Sequence, residues 1–181
     1  MKNLFALALF LIMVALPSMA QTSTNLHAFG GYQYFRDGFS GGENLNGIEG
    51  AFAVDVVKHL NITADIGTAS KKINSGGVSE TDRITTYTFG PSFFVNSHAR
   101  VNPFAHVLIG GATLSASASV PGASASVSQN ALAIKMGGGA DLRITRPISV
   151  RLLQLDWNIF HANNATAKDE VSLATGVVVN F

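Results

Sequence analysis

The sequence predicts an all-β protein: an eight-stranded antiparallel up-and-down transmembrane β-barrel. Three observations carry this. Residues 170–181 alternate with period two: Val171, Leu173, Val177, Val179 and Phe181 share one face, broken by Thr175, and Glu170, Ser172, Ala174, Gly176, Val178 and Asn180 share the other. Charged residues make up 13% of the chain, against about 25% in a typical soluble domain, while 47% are hydrophobic. Beyond the amino-terminal segment these apolar residues form no helix-length run but recur at every second position, as a lipid-facing barrel wall requires. Thirdly, the connections between the candidate strands alternate long and short along the whole chain.

The amino end reads as a removable address. Met1-Lys2-Asn3 is a short positive region, 4–16 is an apolar run, and Pro17-Ser18-Met19-Ala20 places small residues at Ser18 and Ala20. That is a signal peptide over 1–20 with cleavage between Ala20 and Gln21, and its apolar run is shorter than the roughly 20 residues of a spanning helix. The barrel domain is then 21–181, with 11 basic and 11 acidic residues once Lys2 is removed. A neutral chain without a basic stripe argues against nucleic acid as a partner. The absence of cysteine excludes a disulfide framework and thiolate chemistry.

Alternation places strands at 26–36, 47–57, 60–70, 83–95, 101–114, 131–143, 148–160 and 170–181, most of them near the 9–11 residues that cross a bilayer at a tilt. The connections 37–46, 71–82, 115–130 and 161–169 are long, whereas 58–59, 96–100 and 144–147 are short. This suits short periplasmic turns and longer external loops, with both termini on the periplasmic side. A soluble lipocalin-type barrel is the competing reading, and it explains the loop alternation less well. Within 115–130, two Ala/Ser runs flank Pro121-Gly122, whose fixed φ followed by a permissive one suits the centre of a turn. The segment therefore reads as a hairpin that extends the wall.

Charge decides which face points inward, because Arg or Lys at the bilayer midplane costs about 2–4 kcal/mol. Lys135, Asp141 and Arg143 thus face the lumen from the sixth strand, Glu49 and Asp55 from the second and Asp65 from the third. Ile48, Phe52, Val54, Val56, Ile62 and Ile66 then face lipid. Arg151 and Asp156 are five apart, so both can face inward only across a β-bulge, expected near Leu153-Gln154. That bulge sets Asp141 beside Arg151 and Lys135 near Asp156. The expected lumen charge network is Glu49, Asp65, Lys135, Asp141, Arg151 and Asp156. Aromatic girdles are expected at Tyr32, Tyr34, Tyr87, Trp157 and Phe160 toward the loops, and at Phe93, Phe104 and Phe181 toward the turns.

The eight strands, Phe29-Gly-Gly-Tyr-Gln-Tyr34, the stretch Gly137-Gly-Gly-Ala-Asp-Leu-Arg143 with its following hairpin, and the terminal strand together resemble the OmpA-like family of small outer-membrane barrels, in its barrel-only, porin-like group. The resemblance implies that Gly176, Val179 and Phe181 are the assembly signal, though Ala174 departs from the usual polar residue. It also implies a bacterial outer-membrane address after Sec-type export. The implied partners are outer-membrane lipid and lipopolysaccharide, the barrel assembly machinery and periplasmic chaperones, with the chain a monomer.

Chemistry is sparse. Gly137-Gly138-Gly139 lacks the G-K-[ST] ending of a phosphate loop and reads as wall glycine, and the five histidines show no metal-ligand spacing. No catalytic, cofactor or metal residue is expected. His161 is followed two residues later by Asn163, where barrel lipid A deacylases carry a nucleophilic serine. The favoured function is a non-enzymatic barrel with a structural, surface-interaction or weak pore role and a mostly closed lumen. The alternatives are a lipid-modifying barrel enzyme and a small-solute porin.

Overall fold

The computed structural model describes residues 25–37, 43–75, 78–95, 100–120, 123–162 and 165–181. The expected signal peptide and cleavage site lie outside them. Eight strands run in chain order: β1 (Leu26–Asp37), β2 (Glu43–Val57), β3 (Leu60–Ser75), β4 (Val78–Phe94), β5 (Val101–Val120), β6 (Ala123–Arg143), β7 (Ile148–Ala162) and β8 (Ala165–Asn180). Each pairs antiparallel with its chain neighbours, and β1 pairs with β8 to close the ring. Closure leaves no exposed sheet edge within the ring, which is what lets β-strands cross lipid.

Alternation sorts the side chains as charge dictates. Ile48, Phe52, Ile62, Ile66, Phe89, Ile109 and Leu155 project outward from their strands, with Ile48 67% and Phe52 62% exposed. Gln33, Glu49, Asp65, Lys135, Asp156 and Glu170 are buried inside. A polar interior within an apolar belt is the reverse of a soluble barrel, so the lipocalin-type reading is set aside.

Three of the long connections hold far more strand than the alternation suggests. Pairing continues to Ser75 opposite Val78, to Val120 opposite Ala123 and to Ala162 opposite Ala165. The apolar/polar signal stops at the lipid boundary because residues beyond it face water on both sides, yet the backbone ladder runs on. The Ala/Ser segment is accordingly a hairpin, its two strands in register up to the Pro121-Gly122 connection.

The bulge falls one residue before its expected place. Arg151 pairs with Gly176 and Gln154 with Ala174, so Leu152 and Leu153 together oppose Thr175, and both leucines face outward. Thr175 Oγ1 donates to Arg151 O at 2.9 Å, tying the bulge to β8. At the seam Gly31 and Gly176 are in register. A Cβ at Gly176 would meet the backbone of Gly30 and Gly31, so the close approach of first and last strands needs glycine there. The ring is closed at its other end by Phe181 N–H, which donates to Leu26 O at 2.9 Å.

Candidate functional site in the barrel lumen

The lumen is filled in three layers. Nearest the hairpins, Phe35, Leu45, Ile84 and Phe160 form an apolar plug, with the Phe35 and Phe160 rings stacked at 6.1 Å. At mid-height Lys135, 1% exposed, reaches across from β6 to β3. Its Nζ lies 2.6 Å from Asp65 Oδ1, 3.5 Å from Glu49 Oε2 and 3.9 Å from Asp156 Oδ2. The carboxylates are held by neutral donors as well. Gln33 Nε2 donates to Glu49 Oε2 at 2.5 Å, and Gln154 Nε2 donates to Glu49 Oε1 at 2.7 Å and to Asp156 Oδ2 at 2.6 Å. His106 Nε2 sits 2.9 Å from Asp156 Oδ1, off the line of a hydrogen bond.

The third layer faces the turns. Arg151 makes a two-pronged contact with Asp141, Nε to Oδ1 at 2.8 Å and Nη2 to Oδ2 at 3.1 Å, and donates from Nη1 to Gln154 Oε1 at 2.6 Å. Its guanidinium lies 4.3 Å from the Phe29 ring centroid and 4.2 Å from that of Phe104. Planar charge clamped between two aromatic faces and a carboxylate is the geometry arginine favours when water is excluded. Below this floor a vestibule of about 1050 Å³ opens between the turns, bordered by His27, Asp55, Arg143 and Arg146. His27 bridges the seam there, Nδ1 to Asn180 Oδ1 at 2.7 Å and Nε2 to Asp55 Oδ1 at 2.9 Å.

All six expected lumen charges are buried within the ring, and Asp141 is directly opposite Arg151 in register. Lys135 does lie near Asp156, at 3.9 Å, and the closed ring adds two nearer acids, Glu49 on β2 and Asp65 three strands away on β3. The girdles need correcting. Tyr32, Tyr87, Trp157, Phe93 and Phe181 do project outward, but Phe104 and Phe160 are lumen residues. Their parity on β5 and β7 puts them on the inward face, where bulk fills the space between charges. Sequence reasoning missed Gln33, His106 and Gln154. The parity of Gln154 with Asp156 was a usable signal, whereas His106 sits in an apolar run that hides it.

Of the assembly residues, Gly176 lies at the seam, Val179 pairs with Ala28 and Ile148, and Phe181 projects 71% exposed from the turn end. Gly137 and Gly139 face Asp156 and Phe104, and a Cβ on either would intrude on them, which is the wall-glycine reading. His161 is exposed at the hairpin end of β7, and Asn163 lies outside the described residues. Among the described residues no three histidine, aspartate or glutamate side chains are placed to hold a metal.

No family model matches the sequence, and no curated protein matches it by sequence similarity. Solved structures do match. The attachment invasion locus protein Ail of Yersinia pestis, solved in complex with the heparin analogue sucrose octasulfate, superposes with a TM-score of 0.67 at 16% identity, covering 87% of this chain and 99% of that one. A major outer membrane protein from Thermus thermophilus gives 0.68 at 12% identity, covering 88% and 100%. Neisserial surface protein A gives 0.55 at 11%, covering 87% and 95%. These likenesses show the fold alone: a small, closed eight-stranded antiparallel β-barrel shared with solved outer-membrane proteins.

Proposed function

We propose that this chain is a non-enzymatic outer-membrane barrel with a closed, charge-paired lumen, whose role is structural or at the cell surface rather than in solute passage. The observation that carries this is the filled bore. An apolar plug, a lysine shared by three carboxylates and an arginine clamped between two phenylalanines lie in series. Eight strands enclose only enough room for side chains or one small ligand, and here side chains fill it from the hairpin end down to Arg151, leaving open the vestibule at the turn end. The apolar outer belt supports outer-membrane lipid and lipopolysaccharide as the surroundings, and the seam closure supports a monomer that needs no partner to complete its wall. Gly176, Val179 and Phe181 serve as the signal to the assembly machinery, with the turn end periplasmic and the hairpin end outside.

The sulfated ligand of Ail does not carry over readily. Along the described hairpin end, Lys71 is in register with Asp82, which offsets its charge and leaves Lys72 and Arg83 as a pair of cations on the other face of β3 and β4. A lipid-modifying activity would need a nucleophile beside His161, and the sequence offers Asn163.

Planar-bilayer recording tests the closed lumen. The unmodified barrel should conduct near zero, and Lys135→Ala with Arg151→Ala should raise conductance by removing both bridging cations. A large, stable conductance from the unmodified protein would sink this reading in favour of a small-solute porin.

A further inference from the structure

The turn end gathers arginine. Three of the six arginines in the sequence, Arg100, Arg143 and Arg146, line one shallow cleft together with Ile144 and Thr145. Arg100 precedes β5, Arg143 ends β6, and Arg146 stands in the turn to β7. The backbone there is held rather than loose. Arg143 N–H donates to Arg100 O at 2.8 Å, and the N–H groups of Ile144 and Thr145 both donate to Ile148 O, at 3.0 and 2.9 Å. Ile148 N–H donates back to Thr145 Oγ1 at 3.1 Å, and Pro147 fixes one more φ. Side chains carried by a pinned turn lose less freedom on binding. Asp141, the acid nearest to Arg143 along β6, already accepts from Arg151 through both oxygens.

What adjoins the cleft is apolar. Val101, Leu142, Val150 and Val177 stand in register across β5 to β8, on the face that meets lipid. Ile144 and Ile148 continue that surface to the turn, and both are exposed. Phe181 marks the height. Asn180 N–H donates to Pro147 O at 2.8 Å, which sets the exposed Phe181 beside the arginine turn. An aromatic ring at a barrel rim sits at the level of the lipid headgroups, so the three arginines stand where phosphates run.

We infer that this corner is a phospholipid site: the arginine cleft holds the headgroup of an anionic phospholipid with two phosphates, and its acyl chains lie along the adjoining valine, leucine and isoleucine wall. A guanidinium presents a fork that matches phosphate oxygens, and clusters of basic side chains at a membrane surface bind headgroups of this kind. Three positive charges suit a doubly charged headgroup better than a singly charged one. A soluble phosphate would satisfy the arginines but make no use of the apolar wall beside them. The inference rests on the reading that the barrel sits in the outer membrane with its turn end in the periplasm, which makes the lipid one of the periplasmic leaflet.

The test titrates the purified barrel, in micelles of an uncharged detergent, with tetraoleoyl cardiolipin, dioleoyl phosphatidylglycerol or dioleoyl phosphatidylcholine, and counts bound lipids by native mass spectrometry. One cardiolipin should bind at least about tenfold more tightly than phosphatidylcholine, with phosphatidylglycerol between them. Arg100→Gln with Arg146→Gln should bring cardiolipin down to the phosphatidylcholine level. Both side chains are exposed at the rim, so this variant should keep the heat-shifted electrophoretic mobility of a folded barrel. Lys72→Gln with Arg83→Gln removes the same charge at the hairpin end and should leave the preference intact. Equal affinity for the three lipids, or an equal loss in both double variants, overturns the proposal. So does displacement of cardiolipin by equimolar inorganic pyrophosphate, which would assign the arginines to a soluble phosphate. A preference for cardiolipin together with turn-end tags accessible on intact cells would keep the site and overturn the periplasmic orientation instead.

Discussion

Replacing Lys135 with methionine removes the cation and keeps most of the apolar stem. At an effective dielectric constant of about 20, attractions at 2.6, 3.5 and 3.9 Å amount to about 6, 5 and 4 kcal/mol before any cost is counted. Most of that is offset by desolvation of the lysine and three acids and by repulsion among the acids. What survives in the variant is the penalty: Asp65, Glu49 and Asp156 stay buried with no lysine between them. Breaking a buried pair by removing one partner costs about 3–5 kcal/mol, and that is the expected loss. Urea unfolding from lipid vesicles measures it, with the lone Trp157, half-exposed on the wall, reporting transfer out of lipid. Adding Asp65→Asn should recover part of the loss, because the two side chains are coupled. A loss below about 1 kcal/mol would mean that water or other donors already solvate these acids, and the charge-paired lumen would be wrong.

Deleting Phe181, or changing it to Asp, should cut outer-membrane levels sharply on immunoblots of membrane fractions; unchanged levels would strip it of the signalling role. Epitope tags inserted at 121–122 should be accessible on intact cells and tags at 144–147 should not, and the reverse pattern would invert the topology. Deleting Leu152 removes the bulge yet keeps Arg151 and Asp156 on one face, since each would then sit an even number of residues from the other. That variant should still fold, judged by heat-shifted electrophoretic mobility, whereas deleting Met136 from the unbulged β6 sets Lys135 and Asp141 an odd number of residues apart, turns one of them toward lipid and should abolish folding. A Leu152 deletion that cannot fold would show that the bulge does more than reset parity.

Strand number, strand faces and the inward set were legible in the sequence because they are local. Period-two alternation and the cost of a charge in hydrocarbon act on each strand separately, so Glu49, Asp65 and Lys135 declare their direction one at a time. Even the bulge could be inferred, from the odd separation of Arg151 and Asp156. What local pattern does not contain is who meets whom across the bore. Lys135 finds Asp65, 70 residues away, because the stagger of a closed ring brings β3 and β6 to one height. Phe104 and Phe160 look like girdle aromatics until closure shows a lumen that needs their bulk around Arg151 and above Lys135. The uneven rim of the hairpin end follows from where each pair of strands stops pairing. Ladder hydrogen bonds decide that, and beyond the bilayer the side chains no longer record it.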